Sequence, residues 1–223
     1  MLSRRAEDEL MVAPSLRGLM VDAAHALIRE RRSIRRYRPV PIPDDVVRRV
    51  LEAARFAPSA HNRQPWRFAV LTRRKPKEKL VRAMGARLRE DRRADGDPDD
   101  RIDRDVARSF ARITGAPVVV VVCLTLADMD RYPDRRRAAA EHLMAVQGTA
   151  MAVQNLLLAA HAEGLGACWM CAPLFCPEVV AQALGLPPDW QPQALVTLGF
   201  PADAGKVRPR RPIAELLLPE PEA

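Results

Sequence analysis

Two stretches decide the fold: RRSIRRY at residues 31–37 and, one helix later, APSAHNRQPWRF at residues 57–68. The first places four arginines in seven positions, and by itself it fits a solvated helix end or a nucleic-acid patch as well as an anion site. The second joins small residues, which allow a close backbone approach, to the neutral donors and acceptors Ser59, Asn62 and Gln64. A loop of this kind suits a polar planar ligand, although a tight turn anchored by its tryptophan would contain the same residues.

Helices flank the arginine stretch, residues 31–37. Apolar residues recur at three- and four-residue steps over residues 16–28, behind a possible N-cap at Ser15, and predict an amphipathic helix. Three prolines between residues 39 and 43 prevent that helix from continuing. Two aspartates then open a second apolar-periodic segment, which predicts a helix from residue 44 that stops near Pro58.

Apolar and β-branched runs predict the strands of a sheet. The strands are expected at residues 67–72, 118–122, 167–171 and 194–198, and a short helix at residues 177–184. Five consecutive valines at 118–122 are typical of a strand covered on both faces, at the centre of the sheet. The helices and strands do not alternate regularly, so the fold class is predicted to be α+β.

Two long segments separate these strands. Residues 76–114 predict helices interrupted by the turn-forming cluster at 95–99, which indicates a mobile excursion; whether residues 85–114 cover a site as a lid stays open. Residues 135–163 predict the longest helix, whose middle is apolar almost all round. Such a helix must be buried on every side, and a second subunit is the simplest way to bury it, so the pattern favours a homodimer.

The bulk properties indicate one globular domain over residues 15–218, with an N-terminal arm at 1–14 and a short tail at 219–223. No uninterrupted apolar run approaches the roughly 18 residues of a membrane-spanning helix, and the first residues lack the apolar core of a signal peptide. The four cysteines form no spaced disulfide framework. We therefore expect a cytoplasmic protein with reduced thiols and no membrane association.

Charge and missing motifs narrow the possible functions. The formal charge of +8, from 36 basic and 28 acidic residues, favours anionic partners such as phosphates, nucleotides or nucleic acid. The chain has no GxGxxG, Walker, HExxH or GxSxG motif, which weakens the usual nucleotide-binding and hydrolase interpretations. Cys168 and Cys171 have a zinc-like interval, but side chains three apart in a strand point to opposite faces. Both are therefore interpreted as core cysteines, and no metal site is predicted.

Together with the joint GLGACWM at residues 164–170, the two stretches resemble the nitroreductase superfamily, and their order and spacing fit over about residues 25–218. The resemblance implies an α+β, nitroreductase-like fold of three layers, with a central mixed sheet flanked by helices. It also implies an interlocked homodimer with two FMN sites at the subunit interface, each touched by both chains. Residues 131–192 are similar to the flavin-reductase domain of a bifunctional protein of deazaflavin coenzyme biosynthesis.

The resemblance further implies which residues contact FMN. At the phosphate and ribityl chain they are Arg31, Arg32 and Ser33, with Arg208 and Arg210 as a second phosphate clamp. At the ring they are Arg35, at the pyrimidine edge, and Cys171 and Ala172, through a backbone amide. In the polar loop they are Pro58, Ser59, Asn62 and Gln64, of which the last three approach from the partner subunit. Arginine suits a phosphate because its forked donors meet two oxygens at once. A cation at Arg35 would stabilise the charge that collects on the ring after reduction. The register of the clamp stays open, because Arg211 could replace either arginine.

These roles imply an FMN-dependent oxidoreductase that carries hydride from NADH or NADPH to a small aromatic acceptor by a ping-pong mechanism. Two kinds of acceptor stay nearly equal alternatives: a broad nitroaromatic or quinone-like one, and a deazaflavin-related one. No catalytic side chain is required, because the cofactor performs the redox chemistry and the protein supplies orientation and electrostatics. Two alternatives stay open. One is a flavin- or deazaflavin-binding module without turnover, and the other is a basic nucleic-acid-binding protein, which the ten scattered aromatic residues disfavour.

Overall fold

The computed structural model describes residues 16–218, so the predicted arm at 1–14, the possible cap at Ser15 and the tail at 219–223 lie outside the described residues. The chain divides into two compact units, Met1–Arg31 and Arg32–Ala223. The described part of the first unit contains one helix, α1 (Leu16–Glu30), as the apolar periodicity predicts. The extent of the predicted domain, residues 15–218, stays a prediction.

The second unit consists of one sheet surrounded by helices and short turns. Its helices are α2 (Asp44–Ala54), α3 (Arg74–Ala94), α4 (Asp99–Gly115), α5 (Arg135–Ala162) and α6 (Pro177–Leu184). Its strands are β1 (Trp66–Leu71), β2 (Val118–Leu124), β3 (Gly166–Met170) and β4 (Gln191–Gly199). Short 3₁₀ turns lie at Ala60–Asn62, Ala172–Phe175 and Ile213–Glu215. The α+β class is confirmed, and every predicted strand is present with slightly shifted ends.

The four strands pair antiparallel in the order β1-β2-β4-β3. Among the described residues, the one parallel pairing is an isolated bridge between Ser33 and Ala167, beside the outer edge of β3. The sheet is therefore mixed only through this bridge. The bridge nevertheless matters for the site, because it attaches the arginine stretch to an edge strand.

Strand β2 forms the centre of the core. All seven of its residues are buried, as predicted for a strand that is covered on both faces. Val118, Val120 and Val122 pack in a cluster with residues of α2 and α5. Val119 and Val121 pack on the other face with residues of α3, α4 and α6. Because successive side chains of a strand point to opposite faces, helices cover both faces of the sheet, and the three-layer arrangement is confirmed.

The composition of helix α5 predicts burial on every side. Within one chain, however, only part of its surface is buried. One face packs against α2 and β2, whereas the opposite face exposes Leu143 and Met151. By length and mean hydropathy α5 could also span a membrane, although its apolar residues do not form an uninterrupted run. Of its most apolar window, 44% is buried inside the fold, and one such helix is weak evidence of a membrane span.

Residues 74–115 form a packed helical hairpin instead of the mobile excursion that their polar turn predicts. Leu80 in α3 and Ile113 in α4 are buried in the core. At the tip, the Arg92 guanidinium bonds the carboxylates of Asp97 and Asp105, each at 2.5 Å. The turn-forming cluster joins two long helices, and those helices are held at both the core and the tip.

The stretch around Ile34 is fastened to the outer edge of β3. The Ile34 N–H donates to the Ala167 carbonyl oxygen at 2.9 Å, and the Ile34 side chain is buried. A Cβ built on Gly166 would lie 2.6 Å from the Ile34 Cβ, much closer than two side-chain carbons approach. Glycine at position 166 therefore allows the arginine stretch to lie against the sheet.

Replacing Gly166 should separate Ile34 from β3 and lower stability. We expect Gly166→Ala to reduce the free energy of unfolding by about 1–3 kcal/mol, the usual cost of overpacking. Gly115 is the matched control, because it ends α4 and nothing lies within 4 Å of a Cβ built there. Gly115→Ala should be neutral or slightly stabilising. Urea unfolding measures both changes, and equal changes would contradict the close packing of Ile34 on Gly166.

Candidate functional site

The arginine stretch runs along the outer edge of β3 and then beside the end of β4. Ser33 bridges to β3, and Tyr37 forms an antiparallel bridge with Pro201, just beyond β4. Ser33 and Arg35 are exposed, and Arg32 is half-buried. Because the backbone of this stretch is held at both ends, its side chains project from a fixed edge of the sheet.

Tyr37 holds the arginine stretch against the sheet from its buried side. Its hydroxyl oxygen lies 2.6 Å from the Ile34 carbonyl oxygen and 2.7 Å from the hydroxyl of buried Thr197. Burial raises the pKa of Tyr37 well above its usual range, and the hydrogen bond with Thr197 opposes this only in part. The hydroxyl therefore keeps its proton. A Cβ on Gly199 would lie 2.8 Å from the Tyr37 ring, so this glycine lets the ring pack against β4.

The C-terminal arginines follow a segment that touches the arginine stretch. Gly205 has a φ of +71°, and a Cβ built there would lie 3.2 Å from the Cβ of Arg32. Arg208 and Arg210 come three and five residues later, and both are exposed. Neither forms an ion pair or a side-chain hydrogen bond within residues 16–218. The structure thus brings Arg32 close to the segment that carries the predicted clamp.

The polar loop before β1 is bent into a strained turn. His61, Asn62 and Gln64 have φ angles of 48°, 55° and 50°, in the left-handed region that costs residues other than glycine about 1–2 kcal/mol each. The Ser59 hydroxyl accepts a hydrogen bond from the Gln64 N–H at 3.0 Å. A Cβ on Gly148 of α5 would lie 3.3 Å from the Ser59 Cβ, so the loop packs on the helix backbone. Exposed Asn62 and Gln64 are therefore held in one conformation.

The predicted amide donors follow the end of β3. Cys171 and Ala172 are exposed, and Ala172 opens a 3₁₀ turn, so its N–H has no partner within that turn. The prediction of two core cysteines is correct for Cys168 and wrong for Cys171. The reason is that β3 ends at Met170, one residue before the predicted end. In the part of the chain that the structure describes, no group of three or more His, Cys, Asp or Glu could hold a metal.

The polar loop and the arginine stretch lie at opposite corners of the sheet of one chain. The loop leads into Trp66, which starts β1 at the sheet end where Gln191 starts β4. Ser33 lies at the other end, level with Leu198 of β4. The arginine stretch lies one strand spacing beyond β3, so the motifs are about 19 Å apart across the sheet and about 23 Å apart along it. Side chains of a single chain cannot close that distance around one ring system.

By contrast, the amide donors and the arginine stretch share one edge. Ala167, beside Ser33, is separated from Cys171 by about 13 Å of strand. Three of the predicted groups therefore lie along or near β3: the arginine stretch from Arg32, the amides and the segment leading to the clamp. The loop with Pro58 lies apart from them. Arg31 ends the first unit, and its role stays a prediction.

Three residues that shape the site were missed by pattern analysis. Gly148 lies inside a long helix, where glycine costs about 1 kcal/mol relative to alanine, and a glycine in such a place indicates a close backbone approach. Gly166 carries the same signal at the start of a strand. Tyr37 gives no such signal, because its partners come from distant parts of the chain.

Comparison with known families identifies the family of this chain. Residues 28–200 match the model of the Nitroreductase family. The chain belongs to this family. The matched region contains the arginine stretch and the polar loop, and it ends before Arg208 and Arg210. The resemblance to the nitroreductase superfamily is confirmed.

Relatives and solved structures of similar length cover most of the chain. An NADH dehydrogenase of Thermus thermophilus is 34% identical, over 89% of this chain and 96% of its own. A chain of Desulfovibrio desulfuricans, assigned as a nitroreductase and crystallised with FMN, is 33% identical over 89% of this chain and 97% of its own, with a TM-score of 0.67. The FMN-dependent nitroreductase NfnB of Mycobacterium smegmatis, crystallised with NADPH, is 23% identical over 91% of this chain and 100% of its own, with a TM-score of 0.71. The last comparison shows the common fold.

Tyr37 should make the stability of this nitroreductase fold decrease at alkaline pH. The pKa of Tyr37 in the folded chain lies above the unfolded value of about 10. The neutral hydroxyl therefore stabilises the fold below about pH 10, and this stability is lost by about 1.4 kcal/mol per pH unit as the pH rises toward the folded pKa. We expect Tyr37→Phe to be less stable by about 1–3 kcal/mol at neutral pH, and to lose less stability than the wild type above about pH 10.

Urea unfolding over a range of pH values measures this difference. Burial also raises the pKa of the Cys123 thiol to about 12, but Cys123 is present in both proteins and its contribution cancels. Parallel stability profiles of Tyr37→Phe and the wild type above about pH 10 would contradict a Tyr37 hydroxyl that is buried and protonated in the folded chain.

Proposed function

We propose that this chain is an FMN-dependent oxidoreductase that works as a homodimer and transfers hydride from NADH or NADPH to a small aromatic acceptor. The observation that carries the proposal is the edge of β3, where the arginine stretch, the approach to two C-terminal arginines and the turn amide of Ala172 lie together. Membership of the family and the relatives described above support the same reaction class.

The phosphate end of the edge fits an anion. Arg32 and Ser33 stand beside β3, and the C-terminal segment touches Arg32 shortly before its own arginines. Forked guanidinium donors and a hydroxyl are well suited to phosphate oxygens. Since Arg208 and Arg210 are not neutralised by a carboxylate among the described residues, both charges can act on the ligand. We assign these four residues, together with Arg31, to the FMN phosphate and ribityl chain.

The other end of the edge fits the flavin ring. Cys171 lies about 13 Å along β3 from the position of Ser33, and this spacing suits a phosphate-bearing side arm joined to a planar ring. The N–H of Ala172 is free of its own turn, so we assign it, or the neighbouring amide of Cys171, as the donor to the ring. We place exposed Arg35 at the pyrimidine edge, where a cation stabilises negative charge.

The polar loop comes from a second copy of the chain in this proposal. Within one chain it lies at the opposite corner of the sheet from the arginine stretch. We therefore assign Pro58, Ser59, Asn62 and Gln64 to the FMN that the partner subunit holds. A twofold axis would complete both sites reciprocally, because each chain offers the same edge and the same loop.

Exposed apolar surface supports this homodimer. Helix α5 exposes Leu143 and Met151, and the C-terminal stretch exposes Ile213 and the three leucines at 216–218. Contiguous apolar surface that is exposed to solvent marks interaction sites. We infer that the α5 faces meet and that the C-terminal stretch of each chain lies on the other, which gives an interlocked homodimer.

Bound FMN supplies the two-electron chemistry, so the chain needs no acid or base of its own at the reacting atoms. The residues of the chain bind and orient. The strained loop holds Asn62 and Gln64 in place before any ligand arrives, and this preorganisation lowers the entropy lost on binding. NAD(P)H and the acceptor use one place in turn, which is a ping-pong mechanism.

The partners and location remain part of the proposal. The T. thermophilus and M. smegmatis relatives support NADH or NADPH as the electron donor. The acceptor is nitroaromatic, quinone-like or deazaflavin-related. The four cysteines are free, which supports a reducing compartment and hence the cytoplasm.

Two other functions have weaker support. A basic nucleic-acid-binding protein would need unpaired cations on one face, but arginines of the α3–α4 hairpin pair with nearby carboxylates. A flavin-binding module without turnover fits the same site as the enzyme. Reduction of the flavin by NAD(P)H separates those two.

The colour of the purified protein tests the proposal. The wild type should carry yellow FMN that bleaches anaerobically with NADH or NADPH. Arg31→Ala should weaken FMN binding by up to about two orders of magnitude, the effect of losing a charged hydrogen bond of about 1.5–3 kcal/mol. Arg38→Ala is the matched control, because Arg38 is exposed just beyond the arginine stretch and has no assigned role. It should keep the wild-type affinity.

Each other result selects a different function. A colourless protein that binds oligonucleotides would favour the nucleic-acid reading, and flavin that no pyridine nucleotide reduces would favour the binding module. Unchanged retention of FMN by Arg31→Ala would remove Arg31 from the phosphate site.

A further inference from the structure

The segment that follows β4 lies beside the end of the arginine stretch. The Arg38 N–H donates to the Phe200 carbonyl oxygen at 2.9 Å, and the Ala202 N–H donates to the Arg36 carbonyl oxygen at 3.0 Å. These two bonds fix the backbone of the segment up to Ala202.

The Asp203 carboxylate continues this attachment through both of its oxygens. Oδ2 accepts a hydrogen bond from the Arg36 Nε–H at 2.8 Å, and Oδ1 accepts one from the Gly205 N–H at 3.0 Å. Asp203 is half-buried, whereas Arg36 is exposed, and a pair with an exposed partner contributes little to stability. The main effect of this side chain is therefore on the path of the backbone, since it joins the arginine stretch to the turn at Gly205.

Gly205 places the chain directly against the arginine stretch. Its φ of +71° lies in the left-handed region that favours glycine, and a Cβ built there would lie 2.7 Å from the Ile34 Cδ1 and 3.2 Å from the Arg32 Cβ. Arg208 comes three residues later, at most about 11 Å of extended chain away. The position of Gly205 therefore limits how far Arg208 can lie from Arg32.

The charge of Asp203 opposes an anionic ligand. A carboxylate repels a phosphate, and the ion pair with Arg36 offsets only part of this repulsion. Asp203 can therefore favour a phosphate at this edge only through the geometry that its hydrogen bonds impose.

We propose that Asp203 is a positioning residue for the FMN phosphate, which holds the turn at Gly205 so that the clamp arginines, Arg208 and Arg210, stay beside Arg32. The inference rests on the proposed function, which assigns these arginines to the phosphate. Asp203 acts through the turn and does not contact the cofactor.

Binding of flavins with and without a phosphate tests this role. Asp203→Ala should weaken FMN binding by about tenfold, the lower end of the loss seen when groups that orient metal ligands are removed, and should leave the affinity for riboflavin nearly unchanged. Asp203→Asn keeps an oxygen that can accept from the Gly205 N–H, so it should lose less FMN affinity than Asp203→Ala. Fluorescence titration of the full chain after removal of FMN measures both affinities.

Asp103→Ala is the matched control for the lost charge. Asp103 is exposed on the α3–α4 hairpin and accepts a hydrogen bond from the Arg89 Nε–H at 3.1 Å. Its replacement removes the same charge and the same kind of ion pair. This variant should bind FMN and riboflavin as the wild type does.

Removal of the clamp should abolish or reverse the effect of Asp203→Ala. In a chain that already carries Arg208→Ala and Arg210→Ala, no clamp is left to position, and loss of the carboxylate only relieves repulsion. Asp203→Ala should then leave FMN binding unchanged or strengthen it. This double-mutant cycle separates positioning from a general structural role, which would give the same loss in both backgrounds.

A glycine substitution tests the same turn without any change of charge. In Gly205→Ala the new Cβ would clash with Ile34, so this variant should also lose more affinity for FMN than for riboflavin. Gly96→Ala is its control, because Gly96 has a φ of +80° and nothing lies within 4 Å of a Cβ built there. The pair keeps the test in force if Asp203→Ala does not fold.

The contradicting results are distinct. Unchanged FMN affinity in Asp203→Ala, equal losses for FMN and riboflavin, or an equal loss without the clamp arginines would overturn the positioning role. A wild type that binds FMN through Arg208 and Arg210 but does not need Asp203 would overturn this inference alone. A wild type that does not bind FMN would overturn the proposed function.

Discussion

The contact between Ile34 and strand β3 is the constraint on which the rest of the structure depends. The backbone bond to Ala167 attaches the arginine stretch to an edge strand, Gly166 leaves room for it, and the Tyr37 hydroxyl holds it from the inside through Thr197. Without this attachment the arginines would be a charged linker. With it, they become one end of a fixed edge that also carries the exposed turn at Cys171 and Ala172.

A site built on an edge strand is open on one side. The strained polar loop is equally well fixed, by the Ser59 hydroxyl and the backbone of α5 at Gly148, but it lies at the far corner of the same sheet. Each chain therefore offers two preorganised halves that cannot meet within it. This geometry supports the proposed homodimer, as does the exposed apolar face of α5.

Much of this could be predicted from sequence, for identifiable physical reasons. The central strand was clear because five consecutive valines fit a surface buried on both faces. The packed α3–α4 hairpin could not be predicted in this way. The polar turn at 95–99 indicates a mobile segment, although residues on either side of it, such as Leu80, are buried. The exposure of Cys171 depended on a strand end one residue earlier, which is finer than patterns resolve. The corner arrangement depends on strand order, and no local pattern contains it.

Mixed dimers test most directly the central claim that each FMN is held by the edge of one chain and the loop of another. One tagged chain carries Arg32→Ala and Ser33→Ala, a differently tagged chain carries Asn62→Ala and Gln64→Ala, and the heterodimer is purified through both tags. The account predicts that one of the two sites joins a wild-type edge to a wild-type loop, so the heterodimer binds one FMN with wild-type affinity. If each site lay within one chain, both sites would carry a lesion. A heterodimer without tightly bound FMN, or a chain that stays monomeric, would contradict the account.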